Sequence, residues 1–305
     1  MRIRFITILL VVFSAGTGDA SKYAGDFQEL GVGARALGMA TAFVAQSADP
    51  FSLYYNPAGT ALLDRRSVCF MHAENFGGVV KNDYLSFLIP GSNGAVGAAY
   101  YYLGVSNIKL TRLADTLREL SETNRPVPYD TVSASDHLLF LNYSKGRGRI
   151  SYGANLKLYY RNLAVIKGFG GGLDVGLQGH FDYFDLGLAI RDVVLSPVIW
   201  DNGYREQILP RLALGLAPQF EIHTWKSTFR FEFDLVKRFD NGRRFEQNLG
   251  MELAYNRGLF MRFGLEELRP TLGLGIKWRG LALDYAFVYH PELSSSNKIS
   301  AGVSF

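Results

Sequence analysis

Beyond residue 66, apolar and aromatic residues occupy every second position, with glycine, small or charged residues between them. A two-residue period is that of a β-strand whose faces meet different surroundings. Phe229, Phe231, Phe233 and Leu235 alternate with Arg230, Glu232 and Asp234, and Leu283, Tyr285, Phe287 and Tyr289 alternate with Asp284, Ala286, Val288 and His290. The chain closes in the same way, with Ile299, Ala301, Val303 and Phe305 against Ser300, Gly302 and Ser304, and no long helical period interrupts the pattern. Fourteen runs can be counted, near 67–75, 82–89, 94–103, 135–145, 148–162, 169–181, 182–190, 210–219, 225–236, 245–255, 258–266, 270–278, 281–289 and 298–305. Nearly every run is about the 9 to 11 residues that a tilted strand needs to cross an outer membrane.

The connections sort into two kinds. Those after even-numbered runs are tight, as at Pro90-Gly91-Ser92-Asn93, Asn256-Arg257-Gly258 and Arg279-Gly280, whereas those after odd-numbered runs are longer, above all 104–134 and 191–209. Short periplasmic turns at one rim and long loops at the other are what a transmembrane β-barrel shows. The rival is a secreted soluble sandwich, which also alternates but turns its apolar face inward. Aromatic residues crowding strand ends, at Tyr100-Tyr101-Tyr102, Tyr143, Tyr159-Tyr160, Trp278 and Tyr289, favour the barrel, because they suit interfacial girdles.

Composition narrows the class. In 305 residues there are 33 Gly, 10 Pro and a single Cys, with 20% charged and 14% aromatic residues, which excludes disorder, collagen and a disulfide scaffold. The formal net charge is +4 and the basic residues are spread along the chain, so no nucleic-acid footprint is implied. Arg2 and Arg4, the apolar run Phe5 to Phe13 and the small residues ending Gly18-Asp19-Ala20 form a secretory signal cut after Ala20. That run is too short for a membrane-spanning helix. Cys69 reads as a small apolar residue.

If the apolar face meets lipid, the lumen holds Arg161, Asp174, Arg191, Arg230, Glu232, Asp234, Glu252, Arg262, Lys277 and Asp284, either as a polar path or as a salt-bridged interior that lets the barrel close. Many inward positions are small, among them Gly172, Gly176, Gly187, Ala189, Gly215, Gly250, Gly264, Gly273 and Gly275, and leave room for something inside. The candidate is residues 21–66, which lack strand alternation and run through Leu30-Gly31-Val32-Gly33-Ala34-Arg35-Ala36-Leu37-Gly38-Met39-Ala40 to Tyr55-Asn56-Pro57-Ala58-Gly59. Asn56-Pro57 is a strong turn former. The glycines at 31, 33 and 38 do not have dinucleotide-fingerprint spacing, and no strand precedes them.

The stretch from Leu30 to Leu63 resembles the N-terminal hallmark of the PorV/PorQ family of outer-membrane proteins and, more distantly, the FadL-type transporters of hydrophobic compounds. Ile199-Trp200-Asp201-Asn202-Gly203 and the following Glu206 to Leu216 resemble that family's loop and next strand. The resemblance implies a 14-strand barrel with an N-terminal hatch in its lumen, Gly31, Gly33, Arg35, Asn56, Pro57, Ala58 and Gly59 acting as plug or gate. It implies either binding of exported proteins, as a type IX secretion-related component, or passage of a hydrophobic small molecule.

Leu110, Leu113, Leu117 and Leu120 follow helical spacing in the long loop, with Lys109, Arg112, Asp115, Arg118 and Glu119 on other faces, so the spacing predicts a short amphipathic helix over 108–122. Its stripe, with Trp200 as an aromatic anchor, is a candidate surface for the barrel rim, a ligand or a protein partner. Catalytic candidates are thin. His72, His137, His180, His223 and His290 are scattered, Ser135 and His137 come nearest to a nucleophile and base, no spacing argues for zinc, and the adjacent Glu266-Glu267 would point to opposite faces of a strand. The expectation is a non-enzymatic, all-β outer-membrane barrel: signal 1–20, hatch 21–66 and barrel 67–305, with no cofactor and no metal. Its expected surroundings are outer-membrane lipid, with cargo proteins, other secretion components or a hydrophobic ligand as partners.

Overall fold

The structure is a computed structural model that describes residues 25–46, 48–194, 196–239, 245–266, 269–290 and 294–305. The expected signal, Ser21 to Ala24 of the expected hatch, and Glu267 lie outside the described residues. The first forty or so described residues form a luminal segment, containing two single-turn helices, α1 (Ala34–Leu37) and α2 (Ser52–Tyr55), and 3-10 turns at Asp26–Gln28 and Pro57–Thr60. The strands follow: β1 (Ser67–Asn75), β2 (Val80–Gly91), β3 (Gly94–Leu113), β4 (Pro126–Arg147), β5 (Ile150–Asn162), β6 (Lys167–His180), β7 (Phe184–Arg191), β8 (Ser196–Trp200), β9 (Arg205–Ile208), β10 (Arg211–Ile222), β11 (Ser227–Arg238), β12 (Glu246–Tyr255), β13 (Leu259–Glu266), β14 (Arg269–Trp278), β15 (Leu281–Val288) and β16 (Ser296–Ser304).

Strands β1 to β7 and β10 to β16 each pair antiparallel with the next, β7 pairs with β10, and β16 returns to β1. The fold is a closed 14-strand antiparallel barrel. Closure leaves the fourteen wall strands no sheet edge. Its outer surface is apolar at every second position: on β14, Leu272, Leu274 and Ile276 are exposed while Thr271, Gly273 and Gly275 face inward. At one end the strands are joined by tight turns such as Arg279-Gly280, where both residues take the left-handed conformation that such a turn needs. The other end carries the longer connections.

Two parts of the loop reading are corrected. The span 191–209 contains the hairpin β8–β9, and β8 pairs Val198 to Trp200 with Gly168 to Gly170 of β6, above the point where β7 ends. The long loop shrinks to 114–125 because β3 and β4 extend beyond their predicted ends, pairing Ile108 with Val132 and Leu110 with Asp130. The helix predicted over 108–122 is therefore absent. Alternating side chains at Ile108, Leu110 and Arg112 zip against β4, with irregularities between Val105 and Ile108 and between Leu110 and Thr111 absorbing the register change.

The interior has two unlike halves. On β1 to β5 the inward Cys69, Met71, Tyr84, Leu88, Tyr101, Phe140 and Tyr159 form one buried cluster with Phe27, Val32, Leu37, Phe51 and Tyr54 of the luminal segment, with polar residues such as Asn82, Asn142, Asn155 and Lys157 on the same face. Tyr101 and Tyr159 thus belong to the interior, not to the girdles predicted for them, while Tyr100, Tyr143, Trp278 and Tyr289 are exposed. On β10 to β16 the inward positions are charged or small.

Candidate functional site

The luminal segment fits the barrel because the wall is cut away where backbone meets backbone. A Cβ at Gly187 would lie 2.3 Å from the Val44 carbonyl oxygen, one at Gly264 2.4 Å from the Ala40 nitrogen, and one at Gly273 3.1 Å from the Gly38 Cα. These glycines are the small inward residues that the sequence singled out, and what occupies their space is the segment itself.

The two halves of its hallmark pack together. Gly31 and Gly33 have φ of +67° and +77°, a conformation open to glycine at little cost, and a Cβ at Gly33 would meet the Phe51 ring at 2.6 Å. The Tyr55 hydroxyl donates to the Val32 carbonyl at 2.8 Å, and burial pushes its pKa up. Asn56 ties three elements: its Nδ2 donates to the carbonyls of Val44 (2.8 Å), Leu177 (3.3 Å) and Leu188 (3.4 Å), while its Oδ1 accepts from the Ala58 nitrogen and caps the Pro57–Thr60 turn. Proline at the turn's first position has no N–H to satisfy, and Gly59 lets the Gln46 carbonyl approach, since a Cβ would lie 2.6 Å from it.

Opposite this apolar anchor, strand β11 grips the strip Phe43 to Gln46 through alternate inward side chains. Asp234 accepts from the nitrogens of Phe43 (2.7 Å) and Val44 (3.0 Å). Glu232 accepts from the Ala45 nitrogen and from Gln46 Nε2, both at 2.7 Å, and Arg230 donates to Gln46 Oε1 at 2.7 Å. Arg35 completes the grip. It pairs with Asp49 and Glu252 at 2.7 Å each, and Glu252 in turn pairs with Arg262, which holds Asp284. Burial works against the Arg35 charge, but Glu252 and Asp49 outweigh it and raise its pKa.

Cavities lie on both sides of this strip. From the loop end, a small cavity lined by Glu29, Arg191, Arg211 and Arg238 leads to a second one bounded by Thr41, Val44, Asp234 and Asn248. From the turn end, a vestibule of about 670 Å³ reaches up to Arg35, Asp49, Phe51, Glu252 and Arg262. The two systems share no lining residue, and the gripped strip stands between them. At the loop end Glu29 pairs with Arg211, and Arg238 lies 3.7 Å away. Burial alone pushes the Glu29 carboxyl up, but Arg211, Arg191 and Arg238 together outweigh it and hold it below the usual carboxylate range.

The expected partner surface is not assembled. Leu110 and Leu113 are half-buried on β3, whereas Leu117 and Leu120 project from the loop tip at 96% and 69% exposure. Trp200 is 3% exposed, with Arg161 over its ring, so it packs into the buried interior cluster rather than serving as an exposed anchor. A further buried group was not anticipated. Lys157, fully buried on β5, pairs with Asp174 at 2.7 Å and Asp192 at 2.8 Å and donates to Gln28 Oε1, stitching the start of the luminal segment to the wall where β7 ends. Among the described residues no three metal-ligating side chains cluster.

No protein-family model and no curated protein sequence matches this chain. Among solved structures, the chain is similar to the CymD monoaromatic hydrocarbon channel, with a TM-score of 0.58 and 14% identity over 90% of this chain and 98% of that one. A deltaS2S3 mutant of the TodX monoaromatic hydrocarbon channel gives 0.56 and 13% over 90% and 98%. At these identities the likeness is one of fold: a barrel like those of the FadL-like hydrocarbon channels.

Proposed function

We propose that this protein is an outer-membrane channel that passes a small hydrophobic molecule through a barrel closed by its own N-terminal segment. The observation that carries the reading is the strip Phe43 to Gln46, which separates the loop-end cavities from the vestibule and is held by side chains, those of β11 on its N–H groups and Asn56 and Gln178 on its carbonyls, rather than by a sheet ladder. Such a bar can be released without breaking the barrel. The alternating exposed Phe, Leu and Ile residues of the outer wall supply the lipid-facing surface. The tight turns then face the periplasm, and the fold shared with hydrocarbon channels agrees with this use.

In this reading Gly31, Gly33, Asn56, Pro57, Ala58 and Gly59 hold the hatch to the wall, and Arg35 is the charged hinge beside the vestibule. The surface expected from the leucine stripe and Trp200 is assembled for neither a ligand nor a cargo protein, and the fold shared with the hydrocarbon channels favours transport over type IX cargo binding. The test is uptake of radiolabelled toluene by cells that carry the protein in their outer membrane against cells that lack it, with glucose as a polar control. Faster toluene entry with unchanged glucose entry supports the proposal. Equal toluene entry, together with co-purification of proteins sharing a C-terminal domain, would transfer the role to cargo binding.

A further inference from the structure

The two rims of the barrel differ in charge. At the turn end nine exposed basic side chains stand against three exposed acidic ones, Asp64, Asp182 and Glu221. Lys145, Arg147 and Arg149 surround one turn; Arg257 and Arg279 occupy two others, with Lys277 at the end of β14; Lys226 sits in a fourth, and Arg65 and Arg66 lead into β1. Only Arg149 has a carboxylate within ion-pair distance among the described residues, Asp182 at 3.2 Å. The loop end carries both signs: Arg118 pairs with Asp115, Arg125 with Glu122 and Lys81 with Glu74, and the exposed Lys109, Arg112, Lys167 and Arg205 stand among the exposed acids Glu119, Asp130 and Asp201.

Arg65, Arg257 and Lys277 line the mouth of the vestibule, while Lys145, Arg147, Arg149 and Arg279 border the apolar outer wall. The Arg279 guanidinium stacks over the ring of Trp278, 4.9 Å from its centroid, and Arg149 lies over Phe181. Trp278 and Trp225 are each 63% exposed, and Ile150, between Arg147 and the first inward residues of β5, is also exposed. Aromatic rings mark the level of lipid headgroups, and a long basic side chain beside them extends its charge into that layer. On strand β4 the buried positions Asn142 and Ser144 face inward, which turns Lys145 and Arg147 to the lipid side.

We propose that this rim is a binding ring for the phosphate headgroups of anionic phospholipids in the periplasmic leaflet. The inference rests on the outer-membrane orientation given above. Each cation near an anionic surface adds attraction that falls off within a Debye length. A ring of them therefore sets the depth of the barrel and selects charged over zwitterionic lipid around the vestibule mouth.

The experiment is native mass spectrometry of the full chain released from nanodiscs of equimolar phosphatidylglycerol and phosphatidylcholine, counting retained lipids of each kind. The wild type is expected to retain phosphatidylglycerol preferentially. The triple variant Lys145→Gln, Arg147→Gln, Arg279→Gln should lose that preference by about tenfold. The pair Arg118→Gln, Arg125→Gln at the other rim should keep it. Heat-dependent gel mobility checks that each barrel is folded. Insertion without preference, or a preference that the triple variant keeps, overturns the inference. So does a preference removed by free inorganic phosphate and by Arg65→Gln, Arg257→Gln alone, which would assign the cations to soluble anions at the mouth. Failure of the folded chain to enter any bilayer would overturn both the ring and the orientation on which it rests.

Discussion

Replacing Asp234 by alanine removes the acceptor for two buried backbone donors, Phe43 and Val44, at 2.7 and 3.0 Å. Leaving a buried donor unsatisfied costs about 1–3 kcal/mol, so the closed position of the strip should lose about 2–6 kcal/mol relative to a released one in which water reaches those groups. Since 1.4 kcal/mol is a factor of about ten, even the low end raises the released population roughly thirtyfold. The barrel ladders of β10, β11 and β12 are made by backbone and remain intact. Single-channel recording in planar bilayers reads the difference: wild type mostly closed, Asp234→Ala with frequent openings, and the double variant Glu232→Ala, Asp234→Ala open for longer, because the Ala45 nitrogen and Gln46 Nε2 lose their acceptor as well. Asp234→Asn keeps an acceptor oxygen and should lie between. A folded double variant that conducts no more often than wild type would refute the assignment of this strip as the bar.

Other consequences are as direct. Gly176→Val places a Cβ 1.9 Å from Asn56 Oδ1 and should make residues 25–66 sensitive to trypsin in an otherwise folded barrel, whereas Gly91→Ala, with its nearest neighbour at 3.6 Å, should not. Glu29 has its folded pKa below the unfolded value, so its ion pairs contribute stability that is complete above about pH 4.5 and is lost as pH falls through the folded pKa; proteolysis near Asp26 to Glu29 should rise on acidification below pH 4 and should do so less in Glu29→Gln. Leu117→Ser with Leu120→Ser should leave the thermal midpoint unchanged, within about 0.5 kcal/mol of stability, because both side chains are exposed; a large loss would mean that they pack against a surface in the membrane.

The fourteen wall strands were legible because one face of each meets a different medium from the other, and a period of two survives in a single sequence. The phase was legible on β10 to β16, where charge marks the inside. It failed on β3 and β5: Tyr100-Tyr101-Tyr102 and Tyr159-Tyr160 are apolar on both faces, since the inner face packs against Tyr54 and Phe27, and an unbroken apolar run carries no phase. The false helix has a similar cause, for leucines at 110, 113, 117 and 120 mimic helical spacing while two of them lie on a strand and two at a loop tip. Glu232 and Asp234 could be placed inside the barrel from the sequence, but their partners lie about 190 residues away in backbone that carries no side-chain signal. The small inward residues showed that something filled the lumen; only the structure shows Gly187 and Gly264 facing the segment 39–46.

The central claim, that residues 43–46 are the bar that moves when a molecule passes, is tested most directly by hydrogen–deuterium exchange of the protein in a bilayer, with and without toluene. The account predicts that amide protection at Phe43, Val44 and Ala45 falls on adding toluene, while strands β10 to β12 stay protected. Toluene passage with those three amides protected throughout would contradict it.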